Sequence, residues 1–337
     1  MTLIAAYSHK NIPVLIGDMA LTKGDIRSLR KKVYIVSHNF AVGWTGHMVV
    51  AKEVIASLKQ AFGNTIVTKE SLEAFFTSHR PDDFGRLHTK FIGWVIDDEP
   101  RCFLWNCLHP RKLFYASSHI DGSGEQYFEG LRKQKWHSGS VALPLDDQAV
   151  HSVITDVAQA RFEESLYHKT WDMSFGASYD ILMFFGGRFK YVESLAYIGW
   201  DYFWDSQRGT GRLEQAPVII KHTSMAEYSI IQEALHGRHY DRKTVNYLSR
   251  PVYDDMPGAN LSNYPLTLDS DYYANYFLFR ENGRTIFKIL LTVQKVTSEG
   301  PLRIKRHDGA YMLDYDTNEL DRIYREYAAG NLRPKGQ

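Results

Sequence analysis

Apolar positions in the first third of the chain alternate in short runs and then change to helical spacing. Residues 2–7 and 13–18 read as strands joined by a turn at "SHKNIP", with Pro13 opening the second. "KKVYIVSH" and "FAVGWTG" predict another hairpin, turning near Asn39. Val50, Val54, Ile55, Leu58 and Phe62 then fall on one helical face, which predicts a helix over 47–62 that stops at Gly63. "SLEAFFTSHR" predicts a second helix behind the capping candidate Thr68. Strands follow at "TKFIGWVID", "RCFLWNCL" and "KLFYASSHI", and "DGSGEQYFEGL" reads as a glycine-flanked turn entering a helix. "DDQAVHSVITDVAQARFEESLYHK" predicts a long helix and "SYDILMFFGGRFKYVESL" a strand hairpin.

After about Trp204 the texture changes. The polar, Gly-rich "DSQRGTGRLEQAP" marks a boundary, giving one region over 1–204 and a second over 205–337. The second carries a predicted helix around "SMAEYSIIQEALHG" and a hairpin turning on Asn282-Gly283. A last predicted helix, "NELDRIYREYAAG", ends on Gly330. Meandering strands with segregated helices predict an α+β sandwich rather than a doubly wound sheet.

Composition narrows the function classes. A net charge of +1 with 23% charged residues gives no electrostatic case for nucleic acid or an anionic membrane surface. No apolar run approaches the ~20 residues needed to span a bilayer, and the N-terminus lacks the basic and apolar segments of a signal peptide. The expectation is a cytoplasmic protein that begins where translation begins. Cys102 and Cys107, without a ligand-rich neighbourhood, read as inert thiols that suit a reducing compartment.

The candidate chemistry lies at the start. Removal of Met1 would leave Thr2 with a hydroxyl nucleophile and an α-amine base on one residue, the amine having an ordinary pKa of about 7.7–8.0. Such a nucleophile needs a cation nearby, a carboxylate to hold that cation, and a backbone N–H for the developing oxyanion. Asp18, Lys32 and Gly46, at the edges of strand-like runs, are placed to supply these.

Residues 1 to about 190 resemble the proteasome β-subunit lineage and its bacterial relatives, which are N-terminal nucleophile (Ntn) hydrolases. The resemblance rests on landmarks in order: Thr2, Asp18 opening "DMALT", Lys32 in "KKVYIV", Gly46 in "WTG", Ser123 in "DGSGEQYFEGL", and Asp172 with Gly176 in "WDMSFG". Phe175 stands where the family carries a serine, with Ser174 one position early.

This resemblance implies an αββα four-layer sandwich with an additional C-terminal α+β region. It implies Thr2 as nucleophile, Lys32 lowering its hydroxyl pKa, and Asp18 orienting Lys32. Gly46 N–H would form the oxyanion hole, while Ser123 and Asp172 would hold the amine. Thr22 would contact substrate backbone, and Ala20, Trp44 and Met48 would line the first specificity pocket, made shallow by Trp44. The implied activity is a threonine-type peptidase acting on a peptide or protein substrate without a cofactor. Its implied assembly is a homo-oligomer, a ring included, with an unfoldase partner. Two alternatives stay open: a non-catalytic scaffold of the same lineage, which Phe175 favours, and an Ntn amidase acting on a small molecule.

Overall fold

The structure, a computed structural model, describes residues 2–23, 26–78, 87–110, 112–133, 145–167, 176, 178–213, 217–236, 242–253, 267–294, 300–307 and 310–330. A first five-stranded sheet has the spatial order Ser118–Gly122, Leu3–His9, Ile12–Asp18, Tyr179–Phe185, Arg188–Tyr191, with every pairing antiparallel. A second runs Val33–Ser37, Phe40–Gly46, Thr89–Ile96, Pro100–Asn106, Leu113–Ala116, again antiparallel. Ile4, Ala6, Leu15 and Leu182 of the first sheet share a buried core with Val33, Ala41, Ile92 and Trp94 of the second.

Helices α1 (Met48–Phe62) and α2 (Lys69–Ser78) lie where their spacing places them. Thr68 Oγ1 accepts the amide of Ser71 at 3.2 Å, the bond expected of an N-cap. Val50, Val54, Ile55, Leu58, Leu72 and Phe76 bury the helices' apolar faces against Phe91, Phe103 and Trp105 of the second sheet. Helices α3 (Glu125–Lys133) and α4 (Leu145–Tyr167) follow the first sheet's outer strand.

The largest sheet was not foreseen. It has seven strands, in the order Arg242–Ser249, Ser229–His236, Val218–Ser224, Ser194–Asp205, Tyr272–Glu281, Arg284–Gln294, with Thr210–Leu213 added to Ser194–Asp205. Its central pairing, Ser194–Asp205 with Tyr272–Glu281, is parallel; the others are antiparallel. Strand Ser194–Asp205 runs through the composition boundary at Trp204 and is the middle of this C-terminal sheet. The hairpin turn at Asn282 (φ 48) and Gly283 (φ 75) has the two left-handed residues that an Asn-Gly turn favours. Helix α5 (Thr317–Ala328) packs Leu320, Ile323 and Tyr324 beside Trp200, Tyr202 and Phe279 of this sheet.

Two expectations are corrected. The described residues are mostly strand, 52% against 25% helix, and their several antiparallel sheets do not form the expected αββα four-layer sandwich. The reason is visible in α4. Its Ala149, Val153, Ile154, Val157 and Phe162 share one core with Tyr7 and Ile181 of the first sheet and with Tyr197, Ile220, Ile231 and Tyr276 of the C-terminal sheet. A helix buried around its circumference is an interior element, not an outer layer. The segment "SMAEYSIIQEALHG", expected as helix, contains strand Ser229–His236 instead. Ser229, Ile230, Ile231 and Gln232 are all buried, and the strand pairs on both sides. Sheet pairing and β-branched residues there override the helix preference of Glu-Ala-Leu.

Candidate active site

The first hairpin carries the site. Leu3–His9 and Ile12–Asp18 pair with Ile4 opposite Gly17, so Asp18 returns beside the start of the chain. Asp18 Oδ1 accepts the Thr2 hydroxyl at 2.6 Å, the Leu3 amide at 2.8 Å and the Lys32 ammonium at 2.8 Å. Asp18 Oδ2 accepts the amide of Gly176 at 2.9 Å. Lys32 Nζ also donates to the carbonyl of Ala20. Thr2, Asp18 and Lys32 are 2%, 0% and 1% exposed. Burial pushes the Lys32 ammonium below its ordinary pKa, opposed by the charge and hydrogen bond of Asp18.

Thr2, Asp18 and Lys32 are therefore brought together. Gly122 lies behind them at φ 110, and a Cβ there would stand 1.7 Å from the Thr2 carbonyl oxygen, so only glycine fits. The Ser123 hydroxyl next to it is buried and has no partner among the described residues. Gly46 ends strand Phe40–Gly46 at φ 99. The preceding Thr45 donates to Asp121 Oδ2 at 2.6 Å, and Lys90 is also bonded to Asp121. Asp121 pairs with Ile4 and Gly122 with Leu3, so this link fastens the Gly46 end of the second sheet to the Thr2 end of the first.

The remaining expected residues divide. Ala20 is buried and gives its carbonyl to Lys32. Trp44 is 1% exposed, lies in the core beneath α1, and donates from Nε1 to the Lys31 carbonyl at 3.3 Å. Met48 opens α1 as an exposed residue. Thr22 falls in the short strand Ala20–Lys23, and its side chain lies outside the described residues. Asp172 and Phe175 lie outside the described residues altogether.

Sequence reasoning missed a second buried centre. Lys31, adjacent to Lys32, places Nζ 3.0 Å from Asp180 Oδ2 and 3.0 Å from Ser229 Oγ, with the Tyr191 ring centroid at 4.2 Å. Asp180 Oδ1 accepts the hydroxyls of Ser224 at 2.6 Å and Ser229 at 2.8 Å, with His222 Nε2 at 3.2 Å. The other ring nitrogen, Nδ1, lies 2.7 Å from Ser178 Oγ. Burial acts to raise the Asp180 pKa, but Lys31, His222 and Ser224 outweigh it and hold the carboxyl well below its usual range. One signal was present: Asp180 is the lone charge in the apolar strand "YDILMFF".

No protein-family model matches this chain, and no curated protein matches it.

Proposed function

We propose that the protein is a threonine-type N-terminal nucleophile hydrolase that cleaves amide bonds through Thr2 after removal of Met1. One observation carries the reading: a buried carboxylate holds both the Thr2 hydroxyl and the Lys32 ammonium on one oxygen. With Met1 gone, the Thr2 hydroxyl attacks the amide carbonyl and its proton passes to the freed α-amine. The backbone N–H of Gly46 receives the oxyanion, the α-ammonium passes its proton to the departing nitrogen as the C–N bond breaks, the amine product leaves, and water hydrolyses the ester to regenerate Thr2. Ser123 and Asp172 hold the amine in this scheme. The resemblance to proteasome β-subunits makes the substrate a peptide or protein, and the assembly a homo-oligomer served by an unfoldase. No described helix is long and apolar enough to cross a membrane, and a cytoplasmic location belongs to the same proposal.

The test is intact mass after treatment with a peptide β-lactone. A single adduct that maps to Thr2 and is lost in Thr2→Ala is expected. Lys32→Ala should slow adduct formation about 10²–10³-fold, the size of losing one preorganised electrostatic contact. A second reading, a non-catalytic scaffold, is favoured by the near-complete burial of Thr2 and by its hydroxyl being committed to Asp18. Retention of Met1 in protein from its native host, with no adduct, would decide for it.

A further inference from the structure

The second buried centre grips both stretches of chain that carry the first. Ser178 accepts the amide of Met19, directly after Asp18, at its carbonyl (3.0 Å), and its hydroxyl meets His222. Lys31, directly before Lys32, is anchored through its ammonium to Asp180 and Ser229. Its backbone is held as well: Lys31 N donates to Arg250 O at 2.8 Å, and Tyr34 Oη donates to Lys31 O at 2.6 Å. His222, Ser224 and Ser229 belong to the C-terminal sheet, and Arg250 follows that sheet's edge strand directly. Asp180 joins the two grips, since its oxygens take Lys31 on one side and the His222–Ser224–Ser229 group on the other.

We propose that Lys31, Asp180 and His222 are positioning residues for the Thr2 centre, through which the C-terminal sheet fixes Lys32 against Asp18. The inference rests on the reading of Thr2 as a nucleophile. Ser178 is 0% and His222 2% exposed, so both groups are enclosed by the fold. What they do is set distance. A reactive group displaced by about 1 Å loses on the order of 10²-fold in rate. Asp18 ends strand Ile12–Asp18 and Lys32 stands directly before strand Val33–Ser37, and the residues next to each share this one clamp.

The test uses the full-length chain and a peptide β-lactone, with adduct formation at Thr2 followed by intact mass and resolved into kinact and KI. Ser178→Ala and Ser229→Ala each remove one hydroxyl and leave every charge paired. Each should lower kinact about five- to tenfold, a fraction of the loss for a 1 Å displacement, with KI within about twofold. The double replacement Lys31→Met with Asp180→Leu removes both charges together, which keeps a fold that a single replacement would endanger. It should lower kinact about 30-fold or more while thermal unfolding stays cooperative. Loss of packing alone would not separate kinact from KI in a folded protein. Folded serine variants and a folded double variant that react within about twofold of wild type would overturn the proposal. Should the double variant fail to fold, the two serine variants decide. A wild-type protein that takes no adduct at Thr2 overturns the nucleophile reading, and this one with it, before any of these variants is compared.

Discussion

Lys31 and Lys32 are neighbours in sequence, and each is buried against an aspartate, yet the two pairs are built differently. Asp18 takes half of its hydrogen bonds from the backbone: the amides of Leu3 and Gly176 occupy one oxygen each, beside Thr2 and Lys32. Asp180 is held by side chains, the hydroxyls of Ser224 and Ser229, the His222 ring and Lys31. A backbone cage survives substitution of its donors and stays where the strands put it. A side-chain cage can be dismantled one group at a time, and it depends on the distant segment that supplies it. The pair that touches Thr2 is the fixed one; the pair behind it is the adjustable one.

The strongest way to break this comparison is to leave one charge alone. Asp180→Ala strands the Lys31 ammonium in the core and should cost about 3–5 kcal/mol by urea denaturation. Lys31→Met combined with Asp180→Leu should recover most of that. The pH dependence follows from sign. Asp180 is depressed in the folded protein, so its stabilisation is present above its ordinary value of 3.8 and is lost as pH falls through the folded value. Wild type should therefore lose stability below about pH 4 in a way the double variant does not.

Asp156 sharpens the comparison as a half-buried carboxylate with no hydrogen-bonded cage among the described residues. Burial pushes it up to about 6, opposed only by the charge of Arg132. A carboxyl raised in the folded state destabilises once pH rises through that value. Asp156→Asn should accordingly stabilise the protein by on the order of 2 kcal/mol at pH 7.5 and by little at pH 4. A gain that is equal at both pH values would show that Asp156 keeps an ordinary pKa. The smallest effect is expected from thinning the Asp180 cage. Ser224→Ala, which leaves Ser229, His222 and Lys31 in place, should cost about 1–2 kcal/mol. A loss as large as that of Asp180→Ala would mean that the cage acts as a unit.

Much of the first half was legible because period and punctuation agreed there. Helices α1 and α2 and the Thr68 cap each announce themselves within a short window, as does the Asn282-Gly283 turn in the second half. The convergence of Thr2, Asp18 and Lys32 was also legible, since a hairpin returns Asp18 beside Thr2 and Lys32 stands directly before strand Val33–Ser37 of the second sheet. The C-terminal sheet was not. Its central pairing is parallel between Ser194–Asp205 and Tyr272–Glu281, a contact that no local pattern encodes. The strand Ser229–His236 has helix-forming residues and becomes sheet only because neighbours cover both edges. Lys31, directly before Lys32, turns its ammonium to a different aspartate. Its buried partner came from a strand far along the chain, which spacing could not reveal.

The origin of that cage has a consequence for synthesis. Lys31 and Asp180 emerge from the ribosome before His222, Ser224 and Ser229 exist. At about 5–20 residues per second, the interval between Asp180 and Ser229 is a matter of seconds. Throughout it the nascent chain carries two charges destined for the interior, with hydroxyls to complete their shell still untranslated. The first hairpin can close on its own backbone bonds, but the stretch leading into Lys32 cannot settle until the later strands dock. The clamp behind the Thr2 site is in this sense completed late, by strands translated well after Asp180.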